Sequence, residues 1–269
     1  MESTRPIRAL IRGLDTLTVL NSRDGATVSE VAQEIRLPRT TVYRILETLC
    51  GAGFVFRDVG DDRYRLTVMV RALSGGFDDD AWVNQVARPL IGDLGREIVW
   101  PVSVSTLLGT SLIVRESTPS ALLDERHSAG YRLPLLSSAA GRVYLSFCPA
   151  AQRDTLIEIF ARSAKEEDRL ARSPRTDLNR ILTETRAGGY SSTSRARRLV
   201  EEVSVSVPVL WEDRILACLT VRFASNALPP RAGIERFLPK LRQCASRISH
   251  SFVEQQADAQ RNGAPERAA

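Results

Sequence analysis

The length of 269 residues indicates two domains, since domains cluster near about 100–150 residues. Hydrophobic residues make up 43% and charged residues 26% of the chain, which excludes a disordered protein. No apolar run approaches the roughly 18 residues of a membrane span, so we expect a cytoplasmic protein without a membrane partner. Basic residues exceed acidic residues by 37 to 32, and the net charge of +5 permits nucleic-acid binding without establishing it.

Two helices are predicted at the start of the chain. Apolar residues recur every three or four positions from Leu10 to Leu20, which predicts the first helix. A second, short helix is predicted over Val28–Ile35. Its N-cap is either Thr27, which would form a capping box with Glu30, or Ser29.

A third helix and a hairpin follow. Proline suits a helix start, and the apolar spacing predicts a helix over Pro38–Cys50. Two short strands, Phe54–Arg57 and Arg63–Leu66, flank the turn residues Gly60–Asp62. Three helices followed by a hairpin predict a winged helix-turn-helix domain over residues 1–66.

The rest of the chain mixes strand and helix patterns, so we predict an α+β fold class. We expect a linker helix over 67–79 with a boundary near Gly75–Gly76, an α/β domain over 80–256 and a disordered tail over 257–269. The predicted strands are Val102–Ser105, Val203–Val209 and Ile215–Phe223, and the predicted helices are Ser138–Phe147, Pro149–Ala161, Thr176–Ala187 and a last one from about Ile234 to Phe252.

The face of the third helix that lies opposite its apolar side carries polar and charged side chains. Such a helix can enter the major groove, where arginine can hold guanine with two hydrogen bonds and a threonine methyl can contact thymine. A solvated helix face is the alternative, but the capped helix before it, the turn and the wing favour DNA binding. The candidate DNA-binding residues are Ser29, Arg39, Thr40, Thr41, Tyr43, Arg44 and Arg63.

The late strand Ile215–Phe223 carries a candidate anion-binding residue. Alternation places Arg222 on one face with Leu216, Cys218 and Thr220, and the remaining residues, Ile215 among them, on the other. The Arg222 guanidinium could bind a carboxylate through two parallel hydrogen bonds, and a solvated arginine is the alternative. The candidate aromatic walls of such a pocket are Trp100, Tyr131 and Tyr144. The alternative is that these three aromatic side chains are core residues.

Cysteine and histidine content argues against metal or cofactor chemistry. The four cysteines are far apart and form no CxxC pair, so we expect buried free thiols. Two histidines provide little material for a metal site or a His-dependent catalytic centre. We therefore expect no cofactor.

Several segments resemble one family. Leu37–Leu49 resembles the recognition-helix segment of IclR-type regulators, and the resemblance spans about residues 7 to 253. Within the family the chain is most similar to activators of hydroxyphenylpropionate catabolism, through Glu97–Pro101 and Arg132–Leu136. The other segments that agree with the family are Arg12–Leu14, Ser137–Arg142, Gly188–Tyr190 and Val205–Val209.

The resemblance implies a GAF-like C-terminal domain that holds a small organic acid effector. It also implies a dimer or tetramer, double-stranded operator DNA with inverted repeats, and RNA polymerase as partners. Many relatives have an acid in the loop after the Gly-Tyr pair, where this chain has Ser191–Ser194, and Ser204 stands where cysteine is common. These departures disfavour a short oxo-acid effector. The effector contacts that the resemblance implies are Ala139, Ala140, Gly141, Ser204, Thr220 and Arg222.

Two other classes of function are alternatives. An enzymatic C-terminal domain lacks support, because no GxSxG, Walker, HExxH or dinucleotide-binding motif occurs. A purely architectural DNA-binding protein would leave the larger domain without a task. We therefore predict a regulator of a catabolic operon controlled by a small, aromatic acid, with an enzymatic domain or a short-chain oxo-acid effector as alternatives.

Overall fold

The computed structural model describes residues 7–21, 23, 25–73, 79–119, 123, 128–164, 168–172, 175–197 and 200–262. Contacts divide the chain into two units, Met1–Asp78 and Asp79–Ala269. The first is a winged helix-turn-helix and the second combines an antiparallel sheet with helices, which confirms the predicted α+β class.

The first unit packs three helices and a two-stranded hairpin around one apolar core. The strands of the hairpin pair in antiparallel fashion. Val31, Val42, Leu46 and Tyr64 are completely or almost completely buried in this core. The elements are α1 (Arg8–Asn21), α2 (Val28–Glu34), α3 (Arg39–Gly51), β1 (Val55–Arg57), β2 (Tyr64–Leu66) and α4 (Met69–Ala72).

A capping box starts α2 and connects it to the hairpin. The Thr27 hydroxyl accepts from the Glu30 N–H at 3.3 Å, and the Glu30 carboxylate accepts from the Thr27 N–H at 2.8 Å. Thr27, and not Ser29, is therefore the N-cap. Arg63 donates to the same carboxylate at 3.0 Å and to the Gly25 carbonyl at 2.9 Å, which holds the hairpin against the start of α2.

The second unit is built on a six-stranded sheet in the order β5-β4-β3-β8-β7-β6, in which all neighbours are antiparallel. Its helices begin with a continuous segment that contains one π-helical stretch, Val83–Ala87. The strands are β3 (Val102–Leu108), β4 (Ser111–Ser117), β5 (Arg132–Pro134), β6 (Ser191–Arg197), β7 (Val200–Trp211) and β8 (Arg214–Ala224), and the helices are α5 (Asp79–Trp82), α6 (Arg88–Ile98), α7 (Ala139–Phe147), α8 (Ala150–Ala161), α9 (Arg169–Arg172), α10 (Arg175–Gly188) and α11 (Pro230–Asn262).

The two faces of this sheet differ in polarity. One face carries Val203, Val205, Val207 and Val209 of β7 and alternate residues of β8, and it packs against α6 and α11 in the main core. The other face carries hydroxyl side chains on the central strands, and α7 packs against it over β7 and β8. This second face holds the predicted ligand residues: Ser204, Thr220 and Arg222.

A β-bulge between β7 and β8 changes which face of the sheet two residues of β8 occupy. The register shifts between Val209 and Leu210, so that Leu210 pairs with Ile215 while Val209 pairs with Ala217. Ile215 therefore packs with Cys218, and Leu216 packs against the main core. The predicted faces of Ile215 and Leu216 are wrong, because one inserted residue reverses the alternation.

Two further segments differ from the predictions. Helix α11 continues to Asn262, so the predicted disorder is wrong for residues 257–262, where glutamine, alanine and arginine favour helix. Residues 263–269 and the boundary at Gly75–Gly76 lie outside the described residues. Ser191–Ser194 lie in β6 and not in a loop, because they pair with β7. Among the described residues, no helix is long and apolar enough to cross a membrane.

Candidate DNA-binding surface and ligand site

Helix α3 presents free arginines on its outer side. Val42 and Leu46 bury the inner side of the helix, while Arg39, Tyr43 and Arg44 are exposed. Neither arginine forms an ion pair with another described residue. An unpaired guanidinium on an exposed helix face is available for phosphates or base edges.

The outer side of α3 has two different surroundings. Thr41, Arg44 and Thr48 line a groove of about 640 Å³ between α3 and α1, whose apolar wall includes Leu10 and Leu14. Arg39, Thr40 and Tyr43 do not line this groove. Among the predicted contacts on α3, Arg39, Thr40 and Tyr43 thus lie outside the groove beside α1.

The remaining two DNA-binding candidates differ in availability. Ser29 is exposed on α2. Arg63 is half-buried, and its guanidinium is occupied by Glu30 and the Gly25 carbonyl, so it supports the hairpin. Sequence analysis missed Arg36, an exposed residue at a positive φ of 53° in the turn before α3. The only sequence signal for it is its position two residues before Pro38.

The start of α7 forms one wall of the candidate ligand site. The Ser138 hydroxyl caps the helix by accepting from the Gly141 N–H at 3.0 Å. The N–H groups of Ala139 and Ala140 have no preceding helical turn to donate to, and the N-terminal end of a helix attracts anions. A Cβ at Gly141 would lie 2.3 Å from the Leu135 carbonyl oxygen, so glycine here allows close packing.

The opposite wall is the hydroxyl-bearing face of the sheet. Ser105 is 1% exposed, and its Oγ has no hydrogen-bond partner among the described residues. It pairs across β3 and β8 with Cys218, whose Sγ lies 3.2 Å from the Ala140 carbonyl oxygen. Thr220 donates to Ser206 at 3.0 Å. The start of α7 and the unpartnered Ser105 hydroxyl thus lie on either side of Cys218, an arrangement that sequence analysis missed.

Arg222 is neither solvated nor unoccupied. It is 5% exposed, and its Nη1 lies 3.2 Å from both carboxylate oxygens of Glu202. Ser204 lies directly opposite Arg222 in the register of β7 and β8, and Glu202 lies diagonally. The solvated alternative for Arg222 is therefore wrong, since the pairing of the strands buries the guanidinium and supplies it with a carboxylate.

The predicted aromatic walls occupy different places. Trp100 contacts Phe223 with ring centroids 6.4 Å apart, on the main-core face of the sheet. Tyr144 is buried in the core beneath α7, where desolvation raises its pKa above the ordinary value. Tyr131 is half-buried beside β5. The core alternative thus applies to Trp100 and Tyr144.

The cysteines are free thiols. Three of them, Cys148, Cys218 and Cys244, are buried as predicted, whereas Cys50 is half-buried. Burial raises the pKa of Cys148 to about 11, which disfavours the reactive thiolate. Of the two histidines, His250 lies on the surface of α11 and the other is outside the described residues.

Family models match both units of the chain. The model described as "Bacterial transcriptional regulator IclR C-terminal" matches residues 79–250. The model described as "IclR helix-turn-helix domain" matches residues 9–59.

Individual relatives agree with these matches over nearly the whole chain. A probable transcriptional regulator, SauR of Cupriavidus necator, is 26% identical, with 91% of this chain and 97% of the relative covered. The crystal structure of an IclR family transcriptional regulator from Brucella abortus covers 93% of this chain and 94% of its own, with 23% identity and a TM-score of 0.53. An IclR homologue from Microbacterium hydrocarbonoxydans, solved with 4-hydroxybenzoate, covers 90% of this chain and 98% of its own, with 19% identity and a TM-score of 0.52.

Proposed function

This chain belongs to the IclR family of bacterial transcriptional regulators, and from that premise we propose that it controls a catabolic operon in response to a small organic acid. It is a DNA-binding transcriptional regulator, and its relatives are regulators and not enzymes. We further propose that α3 reads operator DNA through Arg39, Thr40, Tyr43 and Arg44, near a promoter where RNA polymerase is the further partner.

The unpartnered Ser105 hydroxyl is the observation that carries the effector part of the proposal. A buried hydroxyl without a partner costs about 1–3 kcal/mol, and an acidic ligand would supply the missing acceptor. The free N–H groups of Ala139 and Ala140 point to the same chemistry. The site thus favours a ligand with a carboxylate or a similar group of oxygen acceptors.

An aromatic acid is supported by the apolar residues next to these polar groups. Leu112, Leu136 and Val143 pack beside Ala140 and Cys218 on the same side of the sheet. A ligand there would contact apolar residues with its body, and hydroxyls and N–H groups with its oxygen atoms, as is typical of small-molecule sites. The complex of one structural relative with 4-hydroxybenzoate supports the same class.

Calorimetry on the full chain tests the effector class. The titrants would be 4-hydroxybenzoate, 3-phenylpropionate and cinnamate, with glyoxylate and pyruvate as the short oxo-acids. We expect an aromatic acid to bind and to change operator affinity, and Ser105→Ala to weaken that binding more than Ser111→Ala on the adjacent strand. Binding of the oxo-acids alone would support the short-chain oxo-acid as effector. Chemical conversion of any titrant would support an enzymatic C-terminal domain.

Self-association is also proposed, through α1. The outer side of α1, together with Ile7 directly before it, exposes four apolar residues at the spacing of one helix face, which a second copy of this chain could bury. Pairing would place two recognition helices on one operator with two-fold symmetry, because one short helix reads too few base pairs. The exposed residues are Ile7 (70%), Leu10 (60%), Ile11 (47%) and Leu14 (53%).

A further inference from the structure

Glu202 lies between two arginines on the hydroxyl-bearing face of the sheet. On one side it accepts from Nη1 of Arg222, and on the other side the register of β6 and β7 places Arg195 directly opposite it. Arg195 is exposed and pairs with no other described residue. Directly opposed residues in an antiparallel pair have Cβ atoms about 4.5–5.5 Å apart, so the Glu202 carboxylate can reach either guanidinium.

The pair between Arg222 and Glu202 uses only part of the arginine. Both oxygens of Glu202 accept from Nη1, and no described residue accepts from Nε or Nη2. Arginine and carboxylate ordinarily form two parallel hydrogen bonds from two different nitrogens. The side chains are 6% and 9% exposed, and neither Nε nor Nη2 of Arg222 is among the fully buried atoms without a partner, so these donors keep contact with solvent. Arg222 therefore keeps donors for a second carboxylate.

A second carboxylate at Arg222 would meet the charge of Glu202. Two carboxylates in one buried site repel each other, and this repulsion disfavours an acidic ligand while Glu202 stays in place. The repulsion disappears when Glu202 moves away from Arg222. Arg195 provides a cation toward which it can move without leaving the face of the sheet.

We propose that the effector lies along this face with its other polar end toward Ser105, that its carboxylate displaces Glu202 from Arg222, and that Glu202 then pairs with Arg195. This inference rests on the proposed effector site. Before and after the exchange each carboxylate has an arginine partner, so no buried charge is left unpaired. Glu202 is thus an internal competitor that sets the affinity for acids, and neutral analogues do not trigger the exchange.

Calorimetry with matched probes and variants of the full chain tests the exchange. The probes are 4-hydroxybenzoate and its neutral amide, 4-hydroxybenzamide. Glu202→Gln should strengthen binding of the acid about tenfold because it removes the competing charge, and Arg195→Gln should weaken it about tenfold because displaced Glu202 has no partner. Binding of the amide should change less than about twofold in both variants.

Two control variants separate the exchange from a change in net charge. Glu201→Gln alters the exposed neighbour of Glu202 on β7, and Arg214→Gln alters an exposed arginine at the far end of β8. Both should leave the affinity for the acid unchanged. Arg195 is exposed, so its variant keeps the test valid even if Glu202→Gln unfolds the protein.

The outcomes distinguish this inference from the effector proposal. Acid binding to wild type that neither Glu202→Gln nor Arg195→Gln alters overturns the exchange and leaves the effector site intact. Acid binding that appears only in Glu202→Gln supports the competitor role of Glu202. Absence of binding to both wild type and Glu202→Gln at millimolar acid overturns the exchange together with the aromatic effector.

Discussion

At the scale of single residues, the arginines of the first unit differ in whether a carboxylate neutralises them. Arg65 pairs with Asp58 and Asp61, and Arg63 pairs with Glu30, so these side chains stabilise the hairpin. Arg39 and Arg44 have no such partner among the described residues. An arginine without an internal partner is the kind that contributes to DNA affinity.

Replacing either free arginine of α3 should weaken operator binding without changing the fold. Arg39→Ala and Arg44→Ala are each expected to lose about 1–3 kcal/mol and to relax specificity at one position if the side chain contacts a base, while loss of a phosphate contact should lower binding to all sequences and reduce the salt dependence. Fluorescence anisotropy across a salt series measures both effects, and thermal unfolding should stay unchanged. Arg214→Ala, in the second unit, is the control. Unchanged affinity in both α3 variants would contradict the assignment.

Glycine at position 141 is required by packing, and its replacement should destabilise the second unit. In Gly141→Ala the new Cβ would contact the Leu135 backbone at 2.3–2.5 Å, and overpacking of this kind costs about 1–3 kcal/mol or more. Gly92→Ala on α6 is the matched control, since its nearest contact is an ordinary 3.6 Å to Arg96. Equal free energies of unfolding for the two variants in chemical denaturation would contradict this account.

At the scale of elements, the capping box links α2 to the hairpin. The Glu30 carboxylate accepts from the Thr27 N–H and from Arg63, and the backbone bond to Thr27 is the main cause that lowers the pKa of Glu30. A carboxyl whose pKa is lowered by folding stabilises the protein above its ordinary pKa. That contribution is lost as the pH falls through the lowered pKa.

Without the Glu30 charge, the stability of the first unit should therefore depend less steeply on pH in the acidic range. Glu30→Gln is expected to lower the melting temperature at neutral pH, and to lose less stability than wild type as the pH falls below the ordinary pKa of glutamate. Asp15→Asn, which alters an exposed carboxylate of α1 that forms no ion pair with another described residue, should keep the wild-type profile. Circular dichroism melts from neutral to acidic pH compare the three proteins, and parallel profiles for wild type and Glu30→Gln would contradict the prediction.

At the scale of the whole molecule, each unit has its own core and its own task. The first unit carries α3 and the exposed apolar side of α1, and the second carries the hydroxyl-bearing face of the sheet. The proposed regulator requires that two first units bind one operator together. The apolar side of α1 is the surface where the described residues favour such pairing.

Charge placed on α1 should reduce self-association and operator binding together. Leu10→Glu and Leu14→Glu put a carboxylate on residues that are 60% and 53% exposed, so the isolated unit should still fold. Sedimentation velocity should show a shift toward monomer, and footprinting should show loss of the two-fold pattern. Leu108→Glu, 40% exposed in the second unit, is the control. Retention of the wild-type oligomer by both α1 variants would refute the proposed surface.

Elements whose signals are local could be predicted from the sequence. The helices of the first unit, its hairpin and the alternation from Ala217 to Phe223 follow from spacings of two to four residues, from capping residues and from turn residues. The family resemblance, which rests on the same local segments, agrees with the family models. Most candidate side chains on α3 could therefore be placed on its exposed side in advance.

The tertiary structure alone decided which distant residues meet. Glu202 pairs with Arg222 because β7 and β8 adopt one particular register, and a bulge near Val209 moves Ile215 to the other face. Ser105 lies beside Cys218, more than a hundred positions away, because β3 pairs with β8. Strand register depends on contacts between remote segments and not on local spacing, so no periodicity in the chain could reveal these neighbours.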